Sequence, residues 1–165
     1  MPDDIDLKLV EQLAQRLLRC EYQLSTAESC TGGGIGYRLT AVPGSSLWYL
    51  GGYITYSNQA KIRDIGVKPK TLETYGAVSE QVAIEMALGC AKTSGSDLAI
   101  SVTGIAGPEG GSRDKPVGTV CFGWVLRGQS VSETIFFDGD RETVRVQTIR
   151  HALEGMIKLL EKFSN

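Results

Sequence analysis

A glycine-rich turn concentrates the groups of this chain that could do chemistry. Ser29, Cys30 and Thr31 stand directly before three glycines, Gly32, Gly33 and Gly34. The pattern predicts a short strand before them and a short helix after them. Such a junction sets backbone N–H groups and the positive end of a helix beside the side chains, which suits a phosphate, a carboxylate or a developing oxyanion. Ser29 is therefore a candidate nucleophile, and the alternative is a plain helix cap.

A second segment offers a base. Tyr56 ends a predicted strand, and Lys61 falls one turn into the helix predicted after it. A lysine partly removed from water near a phenol can lose its proton close to neutral pH. The alternative is a solvated surface lysine, which is the commoner case. The single histidine, His151, lies within a predicted helix, where a packing role is the default. We therefore expect a hydrolytic base to be Lys, Tyr, Asp or Glu.

Two further stretches could hold an anion. The loop from Thr103 to Gly118 is long and rich in glycine, including Gly104 and Gly107, so its backbone N–H groups could cradle a negative charge. A flexible lid without chemistry is the alternative. Arg141 and Arg145 lie four residues apart at the start of the last predicted helix and project from one face, which suits a phosphate or a solvated pair.

Neither common nucleotide motif is present. The glycines from Gly32 to Gly36 lack the Gly-x-Gly-x-x-Gly spacing, because Tyr37 occupies the last position, and no Gly-Lys-Ser/Thr sequence occurs. These glycines could instead simply allow close helix packing. The scattered cysteines form no Cys-x-x-Cys pair, and one histidine cannot build a multi-histidine metal site within one chain. We expect no metal and no cofactor.

The elements that must position these groups alternate between helix and strand. Helices are predicted over 5–19, 35–41, 72–75, 80–94 and 141–163, and a short one contains Lys61. Strands are predicted over 22–26, 52–56 and 98–102, with a hairpin formed by 119–126 and 131–137. This order predicts a three-layer α/β/α domain with a mixed, mostly parallel sheet, a β-hairpin near the C-terminus and a long C-terminal helix. Ligands in such folds bind beyond the carboxyl ends of the strands, so both glycine-rich loops should face one crevice.

Composition narrows the class of protein. The 165 residues, 42% of them hydrophobic, predict a single domain over 1–165, and the net charge of −2 offers no basic field for nucleic acid. No run of apolar residues is long enough to span a membrane. The acidic start Met1-Pro2-Asp3-Asp4 lacks the apolar core of a signal peptide. We therefore expect a cytoplasmic protein that acts on neither nucleic acid nor membrane.

Several short segments together resemble a known family. They are Ala27 to Gly33, Pro43 to Ser46, Tyr56 to Asn58, Gly76 to Ser79, Thr103 to Pro108, Lys115 to Val120 and Gly139 to Arg141. In order and spacing they are similar to the CinA C-terminal domain family, and the similarity runs over nearly the whole chain. The characterised activity of that family is nicotinamide mononucleotide deamidation. The chain begins almost at its first predicted helix, so the resemblance implies the stand-alone form, without the larger N-terminal domain of some members.

The resemblance implies roles for particular residues. Ser29 would be the nucleophile, with Tyr56 and Lys61 as its activating partners, and which of the two takes the proton stays open. Ser46 and Thr103 would lie in the pocket, together with the glycine-turn residues Thr31, Gly32 and Gly33. The arginines of the last helix would bind the substrate phosphate. Glu28 would contact the ribose or a catalytic water. The family also implies a homodimer.

Three interpretations of the chain follow. The first is an amidohydrolase that converts nicotinamide mononucleotide to nicotinic acid mononucleotide and ammonia, in salvage of pyridine nucleotides. The second is a module that binds a nucleotide without turning it over, which would need no base within reach of Ser29. The third is a hydrolase that uses Cys30 as nucleophile. The first and third predict that the glycine turn lines an open pocket.

Overall fold

The computed structural model describes residues 4–163, so the predicted absence of a signal peptide rests partly on residues 1–3, outside that range. The helices are α1 (Asp4–Cys20), α2 (Gly34–Leu39), α3 (Asn58–Ile65), α4 (Pro69–Tyr75), α5 (Glu80–Ser94) and α6 (Arg141–Phe163). The strands are β1 (Leu24–Glu28), β2 (Tyr49–Ile54), β3 (Leu98–Gly104), β4 (Thr119–Leu126) and β5 (Gln129–Phe136). A short 3₁₀ turn, Ser45–Leu47, precedes β2. Within the described residues, no helix is long and apolar enough to cross a membrane.

One open sheet of five strands organises the fold, in the order β2-β1-β3-β4-β5. β1 pairs in parallel with both β2 and β3, and β4 pairs antiparallel with both β3 and β5. Four strands thus run in one direction and only β4 is reversed, which confirms the mixed, mostly parallel sheet. The carboxyl ends of β1, β2 and β3 lie at one edge of the sheet, where segments that follow them can meet.

Helices cover both faces of the sheet, as predicted. The larger core lies between the sheet and α1, α2 and α6, and it includes Leu13, Trp48, Phe122 and Leu153. The smaller core lies on the other face beneath α5 and includes Val82, Met86 and Ala99. Strands β3 and β4 are buried almost throughout because both faces are covered. This two-sided packing fixes the strand ends that carry the candidate site.

Local sequence rules hold well at several boundaries. Ser79 caps α5 by accepting a hydrogen bond from the N–H of Val82 at 3.2 Å, and α6 has the predicted bounds. Predicted β1 and β2 are shifted by two to three residues, because β1 continues to Glu28 and β2 begins at Tyr49. All five residues of β1 are buried although three of them are polar, so alternation of apolar residues no longer marks that strand. In β2, which has no fully buried residue, the adjacent glycines Gly51 and Gly52 interrupt the apolar pattern.

Candidate active site

A serine and a lysine from different segments meet at the carboxyl edge of the sheet. Ser29 directly follows β1, and Lys61 lies in the first turn of α3. The Lys61 Nζ lies 3.1 Å from the Ser29 Oγ, and the Ser29 hydroxyl also lies within hydrogen-bond distance of the Tyr56 carbonyl, at 3.2 Å. A nucleophile and an amine in direct contact are the arrangement that a serine–lysine hydrolase requires.

Two backbone carbonyls aim the lysine. The Lys61 Nζ donates to the carbonyl oxygens of Thr55 and Tyr56, at 2.9 and 3.0 Å. These two bonds occupy two of the three substituent directions of the nitrogen, and the third points at Ser29. When the amine is neutral, that third direction is its lone pair, which faces the Ser29 oxygen, so the Ser29 hydroxyl can turn from the Tyr56 carbonyl to donate to it.

Burial makes a neutral Lys61 accessible near physiological pH. The side chain is 1% exposed, and no carboxylate within residues 4–163 forms a salt bridge with it. Desolvation without a counter-charge lowers the pKa of Lys61 from 10.5 to about 8. The predicted alternative of a solvated surface lysine is wrong.

The turn after β1 is held from two sides. The N–H of Ser29 donates to the Val102 carbonyl of β3 at 3.1 Å. On the other side, the Arg145 guanidinium donates to the carbonyls of Cys30 and Thr31, at 3.2 and 3.3 Å. Arg145 therefore uses three of its five donors for the protein backbone and Glu142. Its observed contacts are structural, in contrast to the phosphate contact expected from the sequence.

Glu28 and Thr31 also have structural contacts in place of the expected substrate contacts. Glu28 is 2% exposed, and its carboxylate accepts hydrogen bonds from the Thr31 hydroxyl and the N–H groups of Ile35 and Gly36, at 2.5, 2.8 and 3.1 Å. Its oxygens therefore satisfy the N–H groups at the start of α2, beneath the turn. Thr31, with 0% exposure, is committed to the same cap. The predicted substrate contacts of both residues stay predictions.

Ser29 opens onto a cavity of about 230 Å³. Lys61, Thr103, Gly104 and Arg141 line it together with Ser29, so these predicted site residues are brought to one place. The Thr103 hydroxyl donates to the Ala77 carbonyl at 2.9 Å, and the Arg141 guanidinium donates to the Gly107 carbonyl at 2.7 Å. The contribution of Gly107 is therefore its backbone carbonyl, through which Arg141 holds the long loop.

Tyr56 lines the same cavity in an unexpected orientation. Its carbonyl contacts Ser29 and Lys61, whereas its phenol oxygen lies 3.4 Å from the Arg141 guanidinium. The residue is 61% exposed. The amine of Lys61 is therefore the group placed to take the Ser29 proton, and the structure gives no contact between the Tyr56 phenol and Ser29.

The other predicted binding residues lie apart from this cavity. Gly32 and Gly33 line a neighbouring depression with Arg145, so the glycine turn faces two cavities where the sequence predicted one crevice. Their positive φ values, 58° and 102°, explain the glycines as backbone requirements of the turn. Ser46 lies in the 3₁₀ turn before β2, at the opposite end of the sheet from Ser29, roughly 16 Å away along a five-residue strand. Within one chain, Ser46 is not part of the Ser29 cavity.

Cys30 lines the cavity but is a poor nucleophile. Its side chain is 6% exposed, and burial raises the pKa of the thiol to about 12. The thiolate is the reactive form, so Cys30 stays protonated and inert at neutral pH. The hypothesis of a cysteine nucleophile therefore loses its physical basis.

The lone histidine lies elsewhere. His151 pairs with Glu133 of β5 and packs on the Phe122 ring with centroids 4.7 Å apart, away from Ser29. Between residues 4 and 163, no group of three or more His, Cys, Asp or Glu side chains is arranged to hold a metal ion. The side chains that line the Ser29 cavity supply two aliphatic hydroxyls, a phenol, a thiol, an amide, an amine and a guanidinium.

Three site features were missed in the sequence: the carbonyls of Thr55 and Tyr56, and the side chain of Asn58, which lines the cavity at the start of α3. Carbonyl directions depend on the backbone path after β2 and carry no sequence signal. Asn58 could have been noticed, because it follows the Ser57 cap of the helix that carries Lys61.

Comparison with known proteins converges on one family. The model of the CinA C-terminal domain matches residues 6–160. The nicotinamide-nucleotide amidohydrolase PncC of Escherichia coli K12 is 46% identical over 157 residues, covering 94% of this chain and 95% of that protein. A putative competence-damage inducible protein of Alkaliphilus metalliredigens is 47% identical over 157 residues, and the match covers 95% of this chain but 38% of that longer protein. A CinA superfamily crystal structure from Klebsiella pneumoniae superposes with a TM-score of 0.93 at 37% identity, covering 96% of this chain and 99% of that one.

Proposed function

The chain belongs to the CinA C-terminal domain family, and on that premise we propose that it is an amidohydrolase of nicotinamide mononucleotide. The products are nicotinic acid mononucleotide and ammonia. The observation that carries the proposal is the 3.1 Å contact between the Lys61 Nζ and the Ser29 Oγ inside an open cavity. A module that only binds nucleotides has no need of a buried, uncompensated lysine against a hydroxyl, because that burial is energetically unfavourable.

In the first half of the reaction, neutral Lys61 takes the Ser29 proton while the Ser29 oxygen bonds to the carboxamide carbon. Backbone N–H groups of the turn after Ser29 are candidates to stabilise the oxyanion. The ammonium of Lys61 then returns its proton to the departing nitrogen, the C–N bond breaks, and ammonia leaves. An ester between Ser29 and the nicotinoyl group remains.

In the second half, neutral Lys61 takes a proton from water as that water attacks the ester carbon. The Ser29 oxygen leaves and recovers the proton from Lys61, which frees the acid product. One water is consumed for each ammonia released, and the reaction needs no oxidant or reductant.

Arg141 is the group we assign to the substrate phosphate. It lines the Ser29 cavity, and its guanidinium holds only one short bond, to the Gly107 carbonyl at 2.7 Å, with a longer one of 3.4 Å to the Tyr56 phenol. A guanidinium has five donors, so Arg141 can bind a phosphate while it keeps the loop contact.

The decisive experiment is to incubate purified protein with nicotinamide mononucleotide and to follow ammonia and the acid product. Ser29→Ala is the matched control, because it removes one oxygen from a site that stays packed. Product from the wild type and none from the variant supports the proposal. Equal rates from both would refute Ser29 as nucleophile, and tight binding without product would favour the nucleotide-binding module.

Three broader expectations belong to the same proposal. The product would re-enter NAD synthesis, which makes the reaction a salvage step. All four cysteines are unpaired, which fits a reducing compartment and hence the cytoplasm. We also propose that the enzyme acts as a homodimer and without nucleic acid; light scattering on the eluted protein and a DNA-binding titration test these two points.

A further inference from the structure

The side chain of Tyr56 combines exposure to solvent with a place beside the Ser29 cavity. It is 61% exposed although it lines the same cavity as the buried Ser29 and Lys61. The backbone of Tyr56 is fixed, because its carbonyl contacts both of those residues. The backbone therefore fixes where the Tyr56 side chain starts at the cavity, and the side chain itself is open to solvent.

The charges around the cavity pose a problem for the substrate of the proposed function. Nicotinamide mononucleotide carries its carboxamide on an N-substituted pyridinium, a cationic ring. The charged side chains that line the cavity are Lys61 and Arg141, which are both basic. Glu28, the acidic residue closest in sequence to Ser29, is turned toward α2 and is bound there by three donors. No carboxylate among the described lining residues can offset the ring charge.

An aromatic face can meet this need. The π-system of a tyrosine carries negative charge on its faces, and cations and electron-poor rings stack on it. Tyr56 is the only aromatic residue among the described residues that line the Ser29 cavity. Its phenol oxygen lies 3.4 Å from the Arg141 guanidinium, the group assigned above to the phosphate, and the residue is 61% exposed, so a ring face can be open to a ligand.

We propose that Tyr56 is a specificity-determining residue whose ring face stacks on the cationic pyridinium of the substrate and holds the carboxamide carbon against Ser29. This inference rests on the proposed function and changes the role that the sequence suggested for Tyr56. In this assignment the Tyr56 hydroxyl does not act as the base, and the face of the ring makes the contact with the substrate. The ligand class that fits this face is an aromatic cation with a carboxamide substituent.

The test uses two variants and two ligands. Tyr56→Phe keeps the ring and removes the hydroxyl, and Tyr56→Leu removes the ring. The ligands are nicotinamide mononucleotide and its dihydro form, which has the same phosphate and carboxamide but an uncharged, non-aromatic ring. Because Tyr56 is exposed, neither substitution removes core packing, and thermal unfolding checks that both variants fold.

For the cationic substrate, we expect Tyr56→Phe to stay within about threefold of the wild type in kcat/KM. Tyr56→Leu should lose about tenfold, mostly through a higher KM, as expected for a cation–π contact that is partly shielded from water. For the dihydro ligand, Tyr56→Leu should lose threefold or less. Equal losses for both ligands, no loss with Tyr56→Leu, or a loss with Tyr56→Phe as large as with Tyr56→Leu would overturn the assignment.

The two proposals can fail independently. If the wild type releases no ammonia, the proposed function fails, and the ring contact is then tested by titrating both ligands into the wild type and Tyr56→Leu. A dissociation constant that rises about tenfold for the cationic ligand alone would still support stacking. A dissociation constant that does not change, or that rises equally for both ligands, would reject it.

Discussion

The lowered pKa of Lys61 predicts a specific pH dependence of kcat/KM. The side chain is buried without a carboxylate partner, and its pKa is about 8 instead of 10.5. At pH 7 about one lysine in ten is then neutral, roughly 300 times more than for an unshifted lysine, and at pH 9 about nine in ten are neutral. If Lys61 is the base, kcat/KM should rise about tenfold from pH 7 to pH 9 and then level off.

The assay is initial-rate release of ammonia from nicotinamide mononucleotide at constant ionic strength between pH 7 and pH 10. This window lies above the second ionisation of a phosphate monoester near pH 6, so the substrate charge stays constant. An ordinary exposed lysine would give a rise of about a hundredfold from pH 7 to pH 9 with no plateau. A flat profile would refute Lys61 as the base. A rise without a plateau would refute the claim that burial lowers the pKa of Lys61.

Lys61→Arg is the matched control. A guanidinium keeps the positive charge and the donors but does not lose its proton in this range. We expect it to lower kcat by at least a hundredfold at every pH, with no ascending limb. Activity close to that of the wild type would mean that the residue acts only as a hydrogen-bond donor.

Four further predictions test other contacts of the site. Ser29→Ala should lower kcat by a thousandfold or more, whereas Cys30→Ala should stay within about threefold, because the Cys30 thiol has a pKa of about 12; ammonia release measures both. Lys61→Met should abolish activity but raise the free energy of unfolding by about 1–3 kcal/mol at pH 7, since it removes an uncompensated buried charge. Between pH 8 and 10.5 the unfolded wild type binds more protons than the folded form, so its free energy of unfolding should rise with pH in that window. The free energy of unfolding of Lys61→Met should not show this rise, and denaturant titrations of both proteins measure the difference. Arg141→Met should raise KM about ten- to a hundredfold for the mononucleotide and leave the unphosphorylated riboside within about threefold, and equal effects on both would assign Arg141 to the loop alone. Glu28→Gln should lower the free energy of unfolding by about 1–3 kcal/mol with KM unchanged, because the carboxylate accepts three hydrogen bonds within the protein. A raised KM with unchanged stability would instead support the predicted contact between Glu28 and the substrate.

The differences between the predicted and the observed contacts at this site share a cause. Glu28 was predicted to contact the ribose or a catalytic water, yet β1 extends through Glu28 and alternation sends its side chain to the face covered by α2. Arg145 shares a helix face with Arg141, but one turn along α6 moves it from the Ser29 cavity to the carbonyls of Cys30 and Thr31. Neighbours in sequence were separated in each case by the direction of a strand or the rise of a helix.

Local patterns in the sequence were sufficient for the architecture and for selecting Ser29 and Lys61 as candidates for the reacting groups. The Ser79 cap, the hairpin and the bounds of α6 follow from interactions within a few residues, and these interactions act in the same way wherever the segment lies. The strand–glycine–helix junction likewise identified Ser29, and the spacing after Tyr56 identified Lys61, as candidates.

Only the tertiary structure decided what those candidates can do. Ser29 and Lys61 are 32 residues apart, and their contact depends on the parallel pairing of β1 with β2, which brings the two strand ends together. The pKa of Lys61 depends on how completely the surrounding chain excludes water. The direction of its lone pair depends on the backbone carbonyls of Thr55 and Tyr56, whose orientation is not set by the identity of any side chain. Burial and carbonyl direction are properties of the assembled fold, and for that reason a sequence pattern cannot determine them.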